Sequence, residues 1–203
     1  GGLVFCLGLI LVIVGGAELF TGNTLIVIAW AARKVTLDAL LRNWSMVFMG
    51  NFVGALGTAG LVFLGRQHTF GGGAVGLNML SIATGKLEYT FVQAVALGIL
   101  CNGLVCLAVW LTYSARTTTD KILAIIFPIS AFVAAGFEHS IANMYFIPIG
   151  LLVKDLDEAW VAANASGLDL SGLTWGNFLI KNLLPVTIGN IIGGAVVVVA
   201  AHS

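Results

Sequence analysis

A short pattern of glycine, glutamate and asparagine occurs twice in this chain, each time in the middle of a strongly apolar stretch. The two copies, in which these residue types keep the same spacing, span residues 16–23 and 136–143. A carboxylate, an amide and small residues are unfavourable in a continuous helix inside a bilayer, where no water is present to solvate polar groups. Their repetition at the expected bilayer depth predicts two broken helices that face each other across a pore. We expect the function of the chain to lie there.

The composition places the chain in a membrane. Of its 203 residues, 59% are hydrophobic and only 9% are charged, and the mean hydropathy is +1.05. This leaves too little polar surface to coat a soluble globule of that size. Basic and acidic residues balance at nine each, so we expect no surface for nucleic acid. The three cysteines lie in apolar runs, and we interpret them as small hydrophobic residues rather than as a metal or redox site.

Five apolar stretches are long enough, or nearly so, to cross a bilayer, which takes about 20 helical residues. The first and the fourth are too long for one crossing and are interrupted near residues 21–23 and near His139. We interpret each of these two as one crossing made of two half-helices. The five predicted crossings, which form a single transmembrane domain over residues 1–203, are 1–32, 44–65, 90–113, 121–153 and 177–201.

The repeat extends beyond the two broken helices. Residues of the second crossing recur in the fifth with the same internal spacing: Asn43, Gly50, Asn51 and Gly54 match Asn182, Gly189, Asn190 and Gly193. Equivalent segments are three positions apart in the order of the crossings, which is an odd number, so the two copies run in opposite directions through the membrane. The counterpart of the third crossing would precede residue 1, where the chain starts without an initiator methionine. We therefore expect an all-α membrane protein with an inverted three-plus-three helix repeat, two broken helices and the first helix missing from this chain.

The distribution of basic residues favours one orientation weakly. The loops 33–43 and 114–121 hold five basic residues, against four on the other side, and they are the shorter loops. Under the positive-inside rule we place these two loops in the cytoplasm. The acidic segment 155–158 then faces outward.

Three sequence runs resemble the formate/nitrite transporter family, and the similarity covers essentially the whole chain. They are Phe137-Glu138-His139-Ser140-Ile141-Ala142-Asn143-Met144, Ala17-Glu18-Leu19-Phe20-Thr21 and Leu184-Pro185-Val186-Thr187-Ile188-Gly189-Asn190-Ile191-Ile192-Gly193-Gly194. The bacterial formate-conducting branch is the most similar. The resemblance implies an aquaporin-like protomer with six crossings in the bacterial inner membrane, and a homo-pentamer with one pore through each subunit. It also implies a channel for the small monovalent anions of weak acids, formate first.

We expect selectivity to depend on His139. A lone histidine in an apolar segment is usually a packing residue, but this one lies in a helix break, beside Glu138 and inside the repeat. A formate anion crosses a dry apolar slit only at a large desolvation cost. Neutral formic acid avoids the cost of desolvating a charge. An imidazole has an unperturbed pKa that allows proton exchange near neutral pH. We therefore expect His139 either to donate a proton to the anion or to hold it by a charge-assisted hydrogen bond.

Glu18 and Glu138 need partners, because an unpaired carboxylate inside a membrane is costly. We expect them mainly to brace the broken helices, since a carboxylate repels an anionic substrate; direct contact with the substrate is the alternative. The resemblance implies that Lys86 pairs with Glu138 and joins a network with Asn190, Thr21 and His139. Symmetry predicts a matching basic partner for Glu18 in the missing helix.

Thr21 and Ser140 are suited to cap the second half of each broken helix, so that the positive end of the helix dipole points inward and attracts small anions. A purely structural cap would look identical in sequence; we favour substrate contact for Thr21 but not for Ser140. Asn102 and Asn190 lie deep in apolar helices, where amides often join helices together. The resemblance implies instead that both face the pore vestibules.

The resemblance also implies two apolar constrictions, one on each side of His139. Their residues would be ordinary core residues in another membrane protein. Such slits reject hydrated ions by dewetting and pass species that can shed charge. The residues at the matching positions are Phe5, Leu9, Leu19 and Phe132.

Other functions stay open from the sequence. A channel of the same family for nitrite or hydrosulfide would share these residue types, and a channel for water or glycerol is a further alternative. An intramembrane enzyme with Glu138 and His139 as an acid–base pair would lack a nucleophile or metal set beside them, so we expect no enzyme. We predict no cofactor and no metal site. The expected partners are the small anion, membrane lipid and further copies of the chain.

Overall fold

The computed structural model describes residues 1–202, and describes side chains for residues 1–196. It is 81% helical, and no β-strand occurs among the described residues, which confirms the predicted all-α fold. The α-helices are α1 (Gly2–Gly15), α2 (Phe20–Asn23), α3 (Val27–Ala31), α4 (Leu37–Leu64), α5 (Ala74–Gly85), α6 (Phe91–Thr112), α7 (Thr118–Ala134), α8 (Ser140–Leu156), α9 (Glu158–Asn164), α10 (Trp175–Asn177) and α11 (Leu184–His202). The 3-10 turns Thr24–Ile26 and Gln67–Gly73 and the π-helical turn Phe178–Leu183 complete the helical structure.

Three helical stretches in the described part of the chain are long and apolar enough to cross a membrane: Leu37–Leu64, Phe91–Thr112 and Trp175–Val196. A further candidate crossing is the pair Gly2–Gly15 and Phe20–Ala31, which is bent by 57° at its break. These four match the predicted crossings one, two, three and five. The predicted fourth crossing contains α7 and α8, which are separated by residues 135–139.

Both predicted helix breaks contain a glycine with a left-handed backbone. Gly16 follows α1 with a φ of 76°, and Gly136 lies after α7 with a φ of 69°. A side chain makes this conformation costly. At either position, no heavy atom from another part of the described chain lies within 4 Å of where a Cβ would be. The backbone conformation, rather than close packing, therefore explains the two glycines.

The chain forms two compact units. The first consists of residues 1–51 and 95–139 and of the chain from Val186, and the second of residues 52–94 and 140–185. In the first unit α1 packs along α7. The apolar core of that unit is formed by Cys6, Leu9, Leu25, Cys101, Val105, Cys106, Ala108, Val109, Ile125, Ile129 and Phe132. The three cysteines are free and buried in it, as small hydrophobic residues would be.

Glycines bring α11 against α6 within the first unit. A Cβ at Gly189 would overlap the carbonyl oxygen of Val95, and a Cβ at Gly193 would overlap that of Ile99. The counterparts of these two glycines in the repeat are Gly50 and Gly54. There, no heavy atom from elsewhere in the described chain comes within 4 Å of the Cβ position. The two copies of the repeat therefore differ in this helix contact.

The second unit is built on the packing of α5 against α8. A Cβ at Gly150 of α8 would lie only 2.5 Å from the Cβ of Ala83, so glycine permits this close approach. In the same unit the buried ring of His68 stacks on Phe63, with 5.4 Å between the ring centroids. His68 Nε2 lies 3.0 Å from Oδ2 of Asp157, the residue that precedes α9. This pair ties the 3-10 turn to the start of α9.

Candidate functional site

The first helix break is bridged by the amide of Asn51, which belongs to α4. Its Oδ1 accepts the backbone N–H of Phe20 at 3.0 Å, and its Nδ2 donates to the backbone carbonyl of Glu18 at 3.0 Å. A helix that stops in a membrane leaves such backbone groups without partners in the helix itself. One side chain from another helix therefore satisfies groups on both sides of residue 19.

The second break is held in the same way by Asn190, the counterpart of Asn51 in the repeat. Asn190 Nδ2 donates to the backbone carbonyl of Glu138 at 3.0 Å, and it also donates to the carbonyl of Gly98 at 2.8 Å. Asn190 is fully buried. The same hydrogen bond, from an asparagine amide to the carbonyl of the glutamate in the break, thus occurs in both copies of the pattern.

A second hydrogen bond is also repeated, in a different compact unit each time. In the first unit, Asn23 Nδ2 donates to Asn43 Oδ1 at 2.9 Å. In the second unit, Asn143 Nδ2 donates to Asn182 Oδ1 at 2.8 Å. All four positions belong to the sequence repeat, so the repeat preserves side-chain contacts as well as residue types.

His139 is buried and forms a polar pair with Thr21. Oγ1 of Thr21 lies 3.1 Å from Nε2 of His139, and the exposed fractions of the two residues are 0% and 5%. Which of the two atoms donates depends on the tautomer of the imidazole. Thr21 follows the first break and His139 ends the second, so this hydrogen bond joins the two breaks directly.

Two aromatic rings contact the imidazole of His139. The ring of Phe132 stacks on it at a centroid distance of 5.8 Å, and the ring of Phe5 meets it edge-on at 6.2 Å. Phe5 and Phe132 contact each other as well, at 5.4 Å and with perpendicular planes. The predicted constriction residues Leu9 and Leu19 belong to the same apolar cluster or pack against it. Of the four predicted constriction residues, Leu9 and Phe132 therefore lie in this cluster, and Phe5 and Leu19 pack against it.

The amide of Asn102 is part of a buried network next to Thr21. Asn102 Nδ2 donates to Thr24 Oγ1 at 2.9 Å and to the backbone carbonyl of Asn190 at 2.5 Å. The Thr24 hydroxyl in turn donates to the backbone carbonyl of Thr21 at 2.6 Å. Asn102 and Asn190 are thus directly hydrogen-bonded to each other, in the role of joining helices that their positions in apolar helices already suggested.

The charged candidates occupy different surroundings. Glu138 is 1% exposed, whereas Glu18 is exposed and accepts a hydrogen bond from the amide of Asn23. Lys86 lies in the second unit, where its Nζ is 5.8 Å from the centre of the Phe146 ring. The expected pairing of Lys86 with Glu138 stays a prediction.

Two features of this site differ from the sequence analysis. The prediction that Thr21 caps α2 is wrong: the N-cap residue is Leu19, and Thr21 lies inside the helix. The Thr21 hydroxyl contacts His139, and Asn51 accepts the first helical N–H. Asn51 and Thr24 were not singled out as site residues. The repeat contained a signal for Asn51, because Asn51 is the counterpart of Asn190, a predicted pore residue. Nothing in the local sequence pattern distinguishes Thr24. Ser140 is buried and is the first residue of α8, and its capping role stays a prediction.

Known proteins of one family are similar to this chain over nearly its whole length. The model of the formate/nitrite transporter family matches residues 1–203. The formate channel FocA of Escherichia coli K12 is 48% identical over 200 residues, which are 98% of this chain and 70% of that protein. The formate channel FocA of Haemophilus influenzae is 44% identical over 198 residues, which are 97% of this chain and 70% of that protein.

Solved structures are similar over nearly the whole chain. A pentameric formate channel with formate bound superimposes with a TM-score of 0.91 at 45% sequence identity, over 99% of this chain and 80% of that one. An ion channel of the same family superimposes with a TM-score of 0.79 at 30% identity, over 99% of this chain and 74% of that one. The fold described above is therefore the fold of these channels.

Proposed function

The chain belongs to the formate/nitrite transporter family, and we propose that it is a formate channel in which His139 and Thr21 form the selective contact. It is a multi-pass membrane protein and not an enzyme. The single observation that best supports the proposed contact is the buried hydrogen bond between Thr21 Oγ1 and His139 Nε2, flanked by aromatic rings.

The chemistry follows from the contrast between this polar pair and its apolar surroundings. The rings of Phe5 and Phe132, together with Leu9 and Leu19, disfavour a hydrated anion. A hydrogen bond or a proton from the imidazole of His139 offsets the cost of dehydrating the carboxylate. When a proton is transferred, the formate leaves as neutral formic acid, and the imidazole takes up another proton from water. Flux is then selective for small anions of weak acids.

The other predicted residues support this contact. Asn102 and Asn190 are pore residues in the proposal and also fasten the two helix breaks. Glu138, Glu18 and Lys86 form the surrounding charge network. The chain acts as one channel domain and assembles as a homo-pentamer in the bacterial inner membrane, surrounded by lipid. Its loops 33–43 and 114–121 lie in the cytoplasm.

The test is a flux assay on the purified protein in liposomes that contain a trapped pH indicator. Formate uptake is measured for the parent chain, for His139→Asn and for the control His68→Asn, which removes a buried histidine outside the proposed site. We expect saturable formate flux in the parent and in the control, and a loss of about tenfold or more for His139→Asn. Nitrite and hydrosulfide added as competitors measure the selectivity among small anions.

Two results would contradict the proposal. A parent protein that conducts water or glycerol but no weak-acid anion is not a formate channel. A His139→Asn variant with the flux and pH dependence of the parent removes His139 from the mechanism.

A further inference from the structure

Thr24 is a buried threonine one turn beyond Thr21, and the proposed function gives it no part so far. It begins the 3-10 turn Thr24–Ile26, and its exposed fraction is 1%. Its hydroxyl donates to the backbone carbonyl of Thr21 at 2.6 Å and accepts a hydrogen bond from Asn102 Nδ2 at 2.9 Å. A threonine hydroxyl that bonds a carbonyl three residues earlier fixes the local turn of the helix. Thr24 thus acts on the residue that contacts His139.

The contacts of Thr24 belong to a closed path of hydrogen bonds. From the Thr21 carbonyl the path runs through Thr24 Oγ1 to Asn102 Nδ2, and from there to the carbonyl of Asn190. Asn190 Nδ2 then reaches the carbonyl of Glu138, the neighbour of His139 in sequence. The direct bond between Thr21 and His139 closes the path. The backbones on both sides of that bond are therefore held by one buried network.

Little in this network can replace the Thr24 hydroxyl. Asn102 Oδ1 is buried and has no hydrogen-bond partner among the described residues, so the orientation of its amide depends on the two bonds from Nδ2. Cys106 Sγ lies 3.5 Å from Thr24 Oγ1, but a thiol is a weak hydrogen-bonding group. A Cβ at Gly194 would overlap Thr24 Oγ1 and lie 3.1 Å from Asn102 Nδ2. Glycine at position 194 is what leaves room for this bond.

We propose that Thr24 is a positioning residue that directs the Thr21 hydroxyl toward His139. The inference rests on the proposed function, because it assigns Thr24 a part in formate binding at that contact. Without the hydroxyl, the Thr21 carbonyl loses a donor and Asn102 loses an acceptor. The turn that carries Thr21 is then less well fixed, and the geometry of the contact with His139 loosens. A structural residue alone would change assembly or stability, whereas a positioning residue changes the concentration dependence of flux.

The test compares three variants in liposomes. Thr24→Val removes the hydroxyl and keeps the shape, and Thr24→Ser keeps the hydroxyl. Thr58→Val is the matched control, because the Thr58 hydroxyl makes a similar bond within its helix, to the carbonyl of Gly54 at 2.8 Å, but on an exposed face. We expect the half-saturating formate concentration of Thr24→Val to rise about fivefold with a similar maximal rate, as the loss of one hydrogen bond predicts. Thr24→Ser and Thr58→Val should stay within about twofold of the parent.

The outcomes separate this inference from the proposed function. If the parent shows no saturable formate flux, the proposed function fails. If the parent conducts formate and Thr24→Val has the same half-saturating concentration, the inference alone is overturned. The inference is also overturned if Thr24→Ser is impaired as much as Thr24→Val, because serine keeps the hydroxyl. The effect would then come from the methyl group of Thr24. If Thr24→Val does not assemble, Gly194→Ala tests the inference instead, because the added methyl group would displace the Thr24 hydroxyl. A half-saturating formate concentration above that of the parent supports the inference, and the same concentration as in the parent overturns it.

Discussion

Thr21 and His139 are 118 residues apart in sequence, and Oγ1 of the first lies 3.1 Å from Nε2 of the second. Thr21 lies just after the first helix break, which contains Gly16, and His139 is the last residue of the second, which contains Gly136. Both side chains are buried, and the imidazole is in contact with two phenylalanine rings. The two halves of the repeat therefore meet at a polar pair inside an apolar cluster.

Removal of the hydroxyl at position 21 should weaken formate flux. Thr21→Val keeps the shape but removes this hydrogen bond, and removing one partner of a buried polar pair costs about 1–3 kcal/mol. We expect flux in liposomes to fall by about tenfold or more for Thr21→Val and to be largely retained for Thr21→Ser. Equal flux in parent and Thr21→Val would show that the hydroxyl has no part in conduction.

Alanine at either break glycine should destabilise the protein through backbone conformation alone. Gly16 and Gly136 have positive φ values, and neither has packing that a Cβ would disturb in the described structure. Each substitution should cost about 1–2 kcal/mol in the free energy of unfolding. The control Gly8→Ala lies inside α1 with open space around its Cβ position, so it should be neutral or slightly stabilising. Thermal unfolding in detergent measures all three, and a Gly16→Ala variant as stable as Gly8→Ala would contradict the prediction.

Asn51→Leu should destabilise the first helix break. The change removes the acceptor for the N–H of the buried Phe20, and a buried donor left unsatisfied costs about 1–3 kcal/mol. It also removes the donor to the Glu18 carbonyl, which is exposed. Asn51→Asp keeps an acceptor and should have a smaller effect on the unfolding temperature. Asn78→Leu, at an exposed position of α5, is the control for the leucine itself. The idea fails if Asn51→Leu and Asn78→Leu unfold at the same temperature.

The contact between His68 and Asp157 should make stability depend on pH. The hydrogen bond with His68 lowers the pKa of the Asp157 carboxyl, and the backbone N–H of Trp160 and the charge of Arg66 act in the same direction. Because the pKa is lower in the folded protein, the stabilisation is present above the unfolded pKa of about 3.9. It is lost as the pH falls through the folded value.

Asp157→Asn should therefore lower the unfolding temperature near neutral pH, and this difference from the parent should shrink as the pH falls below about 4. A thermal-unfolding series across pH measures it. His68→Gln should move the onset of the pH effect upward, because the main cause of the lowered pKa is removed. A difference that is the same at every pH would assign the effect to packing rather than to the charge of Asp157.

Much of the fold was predictable from sequence because the relevant signals are local. Apolar runs of bilayer length predicted four stretches that are long and apolar enough to cross a membrane in the described structure, and glycine with nearby polar residues predicted both breaks, at Gly16 and at Gly136. His139 was singled out because it lies in a helix break, beside Glu138 and inside the repeat, and because the chain resembles a known family there. The matching spacing of asparagines indicated a repeat, and the structure adds that these asparagines form equivalent hydrogen bonds.

The positions of the two helix breaks follow from the local sequence, since backbone conformation and hydrophobicity depend on neighbouring residues. What satisfies the broken ends, and where the polar side chains point, depends on the fold. Asn51 takes the capping role that Thr21 was expected to fill, and Thr24 holds the turn that carries Thr21. A buried hydrogen bond needs a partner at about 3 Å, and at the first break that partner comes from a distant part of the chain. No local pattern specifies such a partner.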